Sequence, residues 1–225
     1  MKHPSNGIAL ARLLQLASPA LPVGAYSYSQ GLEAAVEAGI VRDAPSAEEW
    51  IADVLEFSMA RMEAPVFVRL CDAWVAGDAA AAARWNALFL ASRESAELRA
   101  ESAQMGYSLA RLIGELGTDC GPPAWEEVSF PAAFAWAVVL WNIDAHDALI
   151  AYLWAWCENQ VMAAIKAVPL GQTAGQRILL ALGERIPAIA AAAGALDDES
   201  LGNYAPGLAL LSARHETQYS RIFRS

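Results

Sequence analysis

Three groups of side chains in this sequence have residue types and spacings suited to chemistry. Asp144-Ala-His146-Asp147 puts two carboxylates and an imidazole within four residues. Those are the donor types of a divalent-metal site for assisted hydrolysis. Glu158-Asn159-Gln160, followed by Lys166, places an acid and a base two helical turns apart on a similar face. The stretch Arg214 to Ser225 sets Arg221 and Arg224 among Tyr219, Ile222 and Phe223, against one carboxylate, Glu216. The whole chain carries a formal net charge of -10, so this basic, aromatic tail stands apart from it. Arginine interleaved with aromatics is the composition of an interface hot spot.

Each group has a plainer reading beside the chemical one. Asp144 stands where a helix starts, so it suits an N-cap, and Asp147 in the first turn favours the helix dipole. His3, His146 and His215 are widely separated and no HExxH occurs. Lys166 near a helix C-terminus is favoured by the dipole whatever else it does. Cys71, Cys120 and Cys157 have no CxxC spacing and read as reduced, buried thiols. No GxSxG is present to build a serine nucleophile. Gly171-Gln172-Thr-Ala-Gly175-Gln176 lacks the Lys-Ser/Thr of a phosphate loop. Its glycines, four apart, would permit close helix approach, and Gln172 and Gln176 repeat that spacing. Trp136, Trp141, Trp154 and Trp156 read as core.

The elements that must position these groups are helical. Composition is 56% hydrophobic, rich in Ala and poor in β-branched residues, and no alternating strand pattern appears. Ile8–Ala17 reads as a short amphipathic helix. Ser18 to Gly31, with two prolines and two glycines, reads as a structured loop whose Ser27 or Ser29 caps the next helix, ended by Gly39. Ser46 with Glu49 reads as a capping box, and the helix it opens is expected to break at Pro65. Asp78 caps an Ala-rich helix, and a long helix spans roughly 94–116. Gly117 to Pro123 is a loop. Helices are expected over 130–143, from Asp144 to about Val168, over 178–193, and over 208–216. The expectation is an all-α fold, one compact domain over residues 1–225 of about ten helices, with residues 214–225 as a docking tail.

The charge and hydropathy exclude several classes. A pI of about 4.7 argues against nucleic acid, which needs a basic face. The apolar runs at 130–141 and 148–157 fall short of the roughly 20 residues that cross a bilayer. The acidic balance also disfavours anionic membrane surfaces. No signal-peptide core appears near Met1, which fits a cytoplasmic protein.

Three blocks carry a family resemblance. Leu14-Gln-Leu-Ala-Ser-Pro-Ala-Leu-Pro-Val-Gly-Ala-Tyr-Ser-Tyr-Ser-Gln-Gly-Leu-Glu33 resembles the N-terminal signature of the UreF urease accessory proteins. Glu158 to Arg177 resembles their central block and Arg214 to Ser225 their C-terminus, in the same order and spacing. The resemblance implies an all-α, non-enzymatic, cytoplasmic protein. It implies a homodimer that binds UreD (UreH in some organisms), recruits the GTPase UreG and serves apo-urease. It implies no stably bound cofactor, with nickel handled by the assembled complex. On this reading the partner-binding residues are Tyr26, Glu33, Lys166, Gln172, Tyr219, Arg221, Phe223 and Arg224. Tyr219 and Phe223 would be buried anchors, Arg221 and Arg224 forked donors, and the 22–33 segment would lie against the tail. A helical metal-dependent hydrolase using Asp144, His146 and Asp147 is the alternative.

Overall fold

Helix starts follow from short polar side chains that satisfy the free amides of a first turn. In α3 (Ala44–Val54) the Asp43 carboxylate accepts from Ser46 N at 3.0 Å, and the Ser46 hydroxyl accepts from Asp43 N at 3.1 Å. The expected box at Ser46 and Glu49 therefore begins three residues earlier. Pro45 then sits in the first turn, where its missing N–H costs nothing. Asp78 caps α5 (Ala79–Ala91), Ser95 caps α6 (Ala96–Glu115) and Ser129 caps α7 (Phe130–Leu140). Asp144 caps α8 (Ala145–Ala167), accepting from the amides of His146 and Asp147 at 3.0 Å each.

The computed structural model describes residues 7–116, 123 and 125–225. Apart from Pro123, the expected 117–123 loop lies outside these residues, as do His3 and Cys120. The remaining helices are α1 (Gly7–Leu16), α2 (Leu32–Glu37), α4 (Ala64–Val75), α9 (Gln172–Ala193) and α10 (Pro206–His215). The fold is all-α, with no strand among the described residues.

Pro65 does not break the chain. Residues 44–75 stay helical throughout, with Leu55–Glu63 wound as a π-helix between α3 and α4. Pro65 has no N–H to offer the carbonyl one turn back. That carbonyl, Arg61 O, accepts instead from Gly202 N at 3.2 Å, and Phe57 O accepts from Tyr204 N at 2.8 Å. Asn203 completes the seam: it accepts from the Ser58 hydroxyl at 3.0 Å and donates to Ser92 O at 2.8 Å. A distant segment thus occupies the Arg61 carbonyl left free by the proline and a second carbonyl, Phe57 O, two turns before it, which no local pattern announces.

The core is centred on α7. Every residue from Pro131 to Val138 is buried, as expected of a helix apolar on all sides. Phe67 of α4, Phe130 and Phe134 of α7 and Tyr152 of α8 pack with ring centroids 5.1–5.9 Å apart. α6 crosses beside the entry to α7 at Gly106, where an added Cβ would lie 2.0 Å from Val128 O. Gly175 lets α9 approach α8, since a Cβ there would meet Ile165 Cδ1 at 2.6 Å. Gly171 has open space and plays no such part. Trp136 and Trp156 are core, whereas Trp141 is half-buried and Trp154 is exposed. Among the described residues no helix is long and apolar enough to cross a membrane.

Candidate docking site at the tail

The loop before α2 is held in an unfavourable backbone shape by the tail. After a 3₁₀ turn at Ala25–Ser27, Gln30 and Gly31 both take positive φ, 52° and 78°. A left-handed residue other than glycine costs about 1 kcal/mol or more. The amides of Ser29 and Gln30 donate to the main-chain oxygen of Ser225 at 2.8 and 3.1 Å, and the Ser29 hydroxyl donates to it at 2.5 Å. Arg224 N donates to Ser27 O at 2.8 Å. The Ser29 hydroxyl also accepts from Glu33 N at 3.3 Å, so it serves the start of α2 as expected. The 22–33 segment and the tail are therefore in direct contact.

Glu33 is the second fastening. One carboxylate oxygen accepts from Ile222 N at 2.6 Å and the other from Phe223 N at 2.9 Å. His215, at the end of α10, is fully buried, with its Nδ1 2.6 Å from Glu97 and its Nε2 3.4 Å from Glu33. Both ring nitrogens donate in such a pairing when the imidazole is protonated. Arg221 bridges to the other oxygen of Glu97 at 2.6 Å and donates to the carbonyls of Gln218 and Glu216. The Glu216 carboxylate accepts from Ala96 N, an anion at the N-terminus of α6.

Glu101 of α6 is the third. It accepts from Gln30 Nε2 at 2.6 Å and from the Ser225 hydroxyl at 2.7 Å. Burial pushes its carboxyl up to about 7, against the opposing pull of those two donors and of Arg93. Behind it lies a cavity of about 80 Å³, lined also by Glu63, Arg93, Tyr152, Glu158 and Gln30. Burial raises Glu63 as well, although Arg93 and a short hydrogen bond from the Tyr152 hydroxyl oppose it. Burial raises Glu158 too.

The residues singled out from sequence fall into two sets. Glu33, Arg221 and Phe223 fasten the tail to its own body, and Phe223 is 5% exposed. Lys166 Nζ stands over the rings of Tyr26 and Phe223, 5.9 and 5.6 Å from their centroids, so the central block, the N-terminal loop and the tail meet there. Burial raises the Tyr28 hydroxyl, and the nearby Arg224 side chain pulls it the other way. Tyr219 does not insert into the body; its ring is fully exposed, as Ile222 largely is. Gln172 is exposed at the start of α9. Sequence reading missed Gln30, Glu97, Glu101 and His215. Glu101 carried a legible signal, since it falls on the buried face of α6 with Leu98, Met105 and Leu109. Asp144 acts as a cap, and no group of three His, Cys, Asp or Glu among the described residues is placed to hold a metal ion.

The comparisons with known proteins point one way. Residues 41–183 match the UreF family model. The chain is 58% identical to the urease accessory protein UreF of Azoarcus sp. (strain BH72), over 99% of each. It is 54% identical to the protein of that name from Dechloromonas aromatica (strain RCB), over 97% of this chain and 98% of the other. It is also 52% identical to the bifunctional urease accessory protein UreEF of Bordetella bronchiseptica, over 96% of this chain and 52% of that protein. With the tail, the N-terminal loop and the central block brought together around Lys166, and with likeness running nearly end to end, this chain belongs to the UreF family.

Proposed function

We propose that the chain is a non-catalytic scaffold of urease maturation in the cytoplasm. It would dimerise, bind UreD, recruit the GTPase UreG and influence its GTP hydrolysis while nickel, as cargo, passes to apo-urease. The observation that carries this reading is the near full-length identity to proteins named urease accessory protein UreF. The geometry supports a docking role. The folded-back tail presents the exposed Tyr219, Ile222 and Arg224 on an ordered backbone, beside Lys166 and Tyr26. An ordered tail loses less conformational freedom on binding than a frayed one. The UreEF relative, in which a UreF-like unit fills about half of a bifunctional chain, fits a unit that works next to other accessory proteins.

Co-purification tests it. The full chain co-expressed with UreD and UreG is expected to recover both. A chain ending before Arg214 is expected to lose UreD while keeping its helical circular dichroism. Unimpaired complex formation by the truncated chain would sink the proposal. Lys166→Ala is expected to lower urease activation or change GTP turnover in the complex, with folding intact.

A further inference from the structure

A furrow separate from the tail seam runs between α9 and the continuous helix of residues 44–61. Two depressions of about 440 and 460 Å³ share Ala52 and Arg185, so they form one trough. It has no lining residue in common with the cavity behind Glu101. At a rise of 1.5 Å per residue the 44–61 wall is about 25 Å long. That wall carries Glu48, Glu49, Asp53 and Glu56, with Arg61 at its far end, and the α9 wall carries Arg177 and Arg185. Glu49, Asp53 and Glu56 follow the i, i+4, i+7 spacing of one helix face, and Arg177 and Arg185 lie two turns apart, so each set aligns along its own rim. Among the described residues one ion pair crosses the trough, Arg185 to Glu56, long at 3.9 Å and with side chains 49% and 58% exposed. The floor is small and apolar: Ala52 and Ile178 are buried, and Ala188 and Ala192 stand exposed beside Ile189.

We propose that this trough is the docking surface for one amphipathic helix of a partner protein, with basic side chains along one edge, acidic side chains along the other and an Ala/Leu face between them. A floor of alanines lets two helix axes approach to roughly 8–10 Å. The rims supply the charge complementarity: Glu49 and Asp53 receive the basic edge and Arg177 the acidic one. Because the rims are opposite in sign, they also fix which way the helix runs. Turned end for end, it would set like charges together. The concave form disfavours a second copy of this chain seated face to face. Two such troughs related by a two-fold axis would meet at their rims and enclose an unfilled channel, whereas well-packed contacts leave few voids. A single convex helix fills the space.

The probe is a fluorescein-labelled, stapled helix of about 17 residues with lysines on one edge and glutamates on the other, read by anisotropy against the full chain at low salt. A control helix carries glutamates on both edges. The lysine–glutamate helix is expected to bind about tenfold more tightly than the control, and to weaken as salt rises. Glu49→Arg combined with Asp53→Arg makes both rims basic and is expected to reverse that preference. Both residues are exposed, so the urea midpoint should stay at the parental value. Ala188→Glu, which puts bulk and charge on the exposed floor, should weaken both helices. Equal binding of the two helices to the parent, or a preference unmoved by the rim reversal, would overturn the proposal. So would a parent chain that sediments as a dimer and becomes a monomer on Ala188→Glu, since a second copy would then hold the trough. None of these readouts uses UreD or UreG, so their outcome is independent of the scaffold role proposed above.

Discussion

Glu33 holds Phe223 from nearly two hundred residues away: one carboxylate oxygen takes the Phe223 amide at 2.9 Å and the other takes that of Ile222. The carboxylate works as the cap of a tail that has no helix or strand of its own. Glu33→Ala should strip both amides of their acceptor and leave His215 with Glu97 alone. Charge-assisted hydrogen bonds of this kind are each worth about 1.5–3 kcal/mol, so a loss of about 3 kcal/mol is expected. Urea midpoints give the stability, and hydrogen exchange over 221–225 should rise. Exchange unchanged in the tail would show that Glu33 is not its fastening.

Stability should fall as pH rises through the range set by Glu101. Its carboxyl titrates at about 7 in the folded chain, above its ordinary value of 4.5, because burial disfavours the ion. The native state therefore binds this proton more tightly than the unfolded chain. The stabilisation is complete below 4.5, declines from there to 7, and is gone above. The size is roughly 3 kcal/mol. Glu63, raised in the same direction, adds to the trend. Urea midpoints between pH 5 and 8 should flatten in Glu101→Gln; a slope equal to the parent's would assign the effect elsewhere.

Gly106→Ala should be costly although alanine favours helix. The new Cβ would stand 2.0 Å from Val128 O and 2.5 Å from Ser129 C, both main-chain atoms. That backbone is fixed, because Asn86 bonds Glu127 O and Ser129 N while the Ser102 hydroxyl accepts from Phe130 N. About 3 kcal/mol is expected from overpacking, outweighing a gain of about 1 kcal/mol in helix propensity. A thermal or urea midpoint at or above the parent's would contradict the close crossing.

Lys166→Ala and Phe223→Ala separate folding from partner binding. Lys166 is exposed and contributes cation–π attraction of about 0.5–1 kcal/mol over Tyr26 and Phe223. Phe223 is buried, and its truncation should cost about 3 kcal/mol. A Lys166→Ala chain with near-parental stability and impaired complex formation would place Lys166 at the partner surface. Parental complex formation would confine it to packing.

Features set by neighbours in sequence were legible, and features set by distant segments were not. Asp78 and Asp144 were readable as caps because a cap acts on amides two or three residues away. Pro65 was misread as a break because the donor that takes up the carbonyl one turn before it comes from Gly202, far along the chain. The tail's composition marked it for docking, but its receiver is assembled from residues 29, 30, 33, 97 and 101. Arg221 and Phe223 belong to that internal seam, whereas Tyr219, equally aromatic, remains outside. Composition names the interface formers without saying which face each one takes.

The hydrogen bond from Ser29 to Ser225 spans 196 positions. A chain emerging from the ribosome makes the 25–33 turn long before its acceptor. Until residue 225 arrives, the amides of Ser29 and Gln30 have no partner there, and the surface around Tyr26 and Lys166 lacks Phe223. A partner that recognises the seam meets only molecules in which residues 27–33 and 222–225 have both been made and brought together.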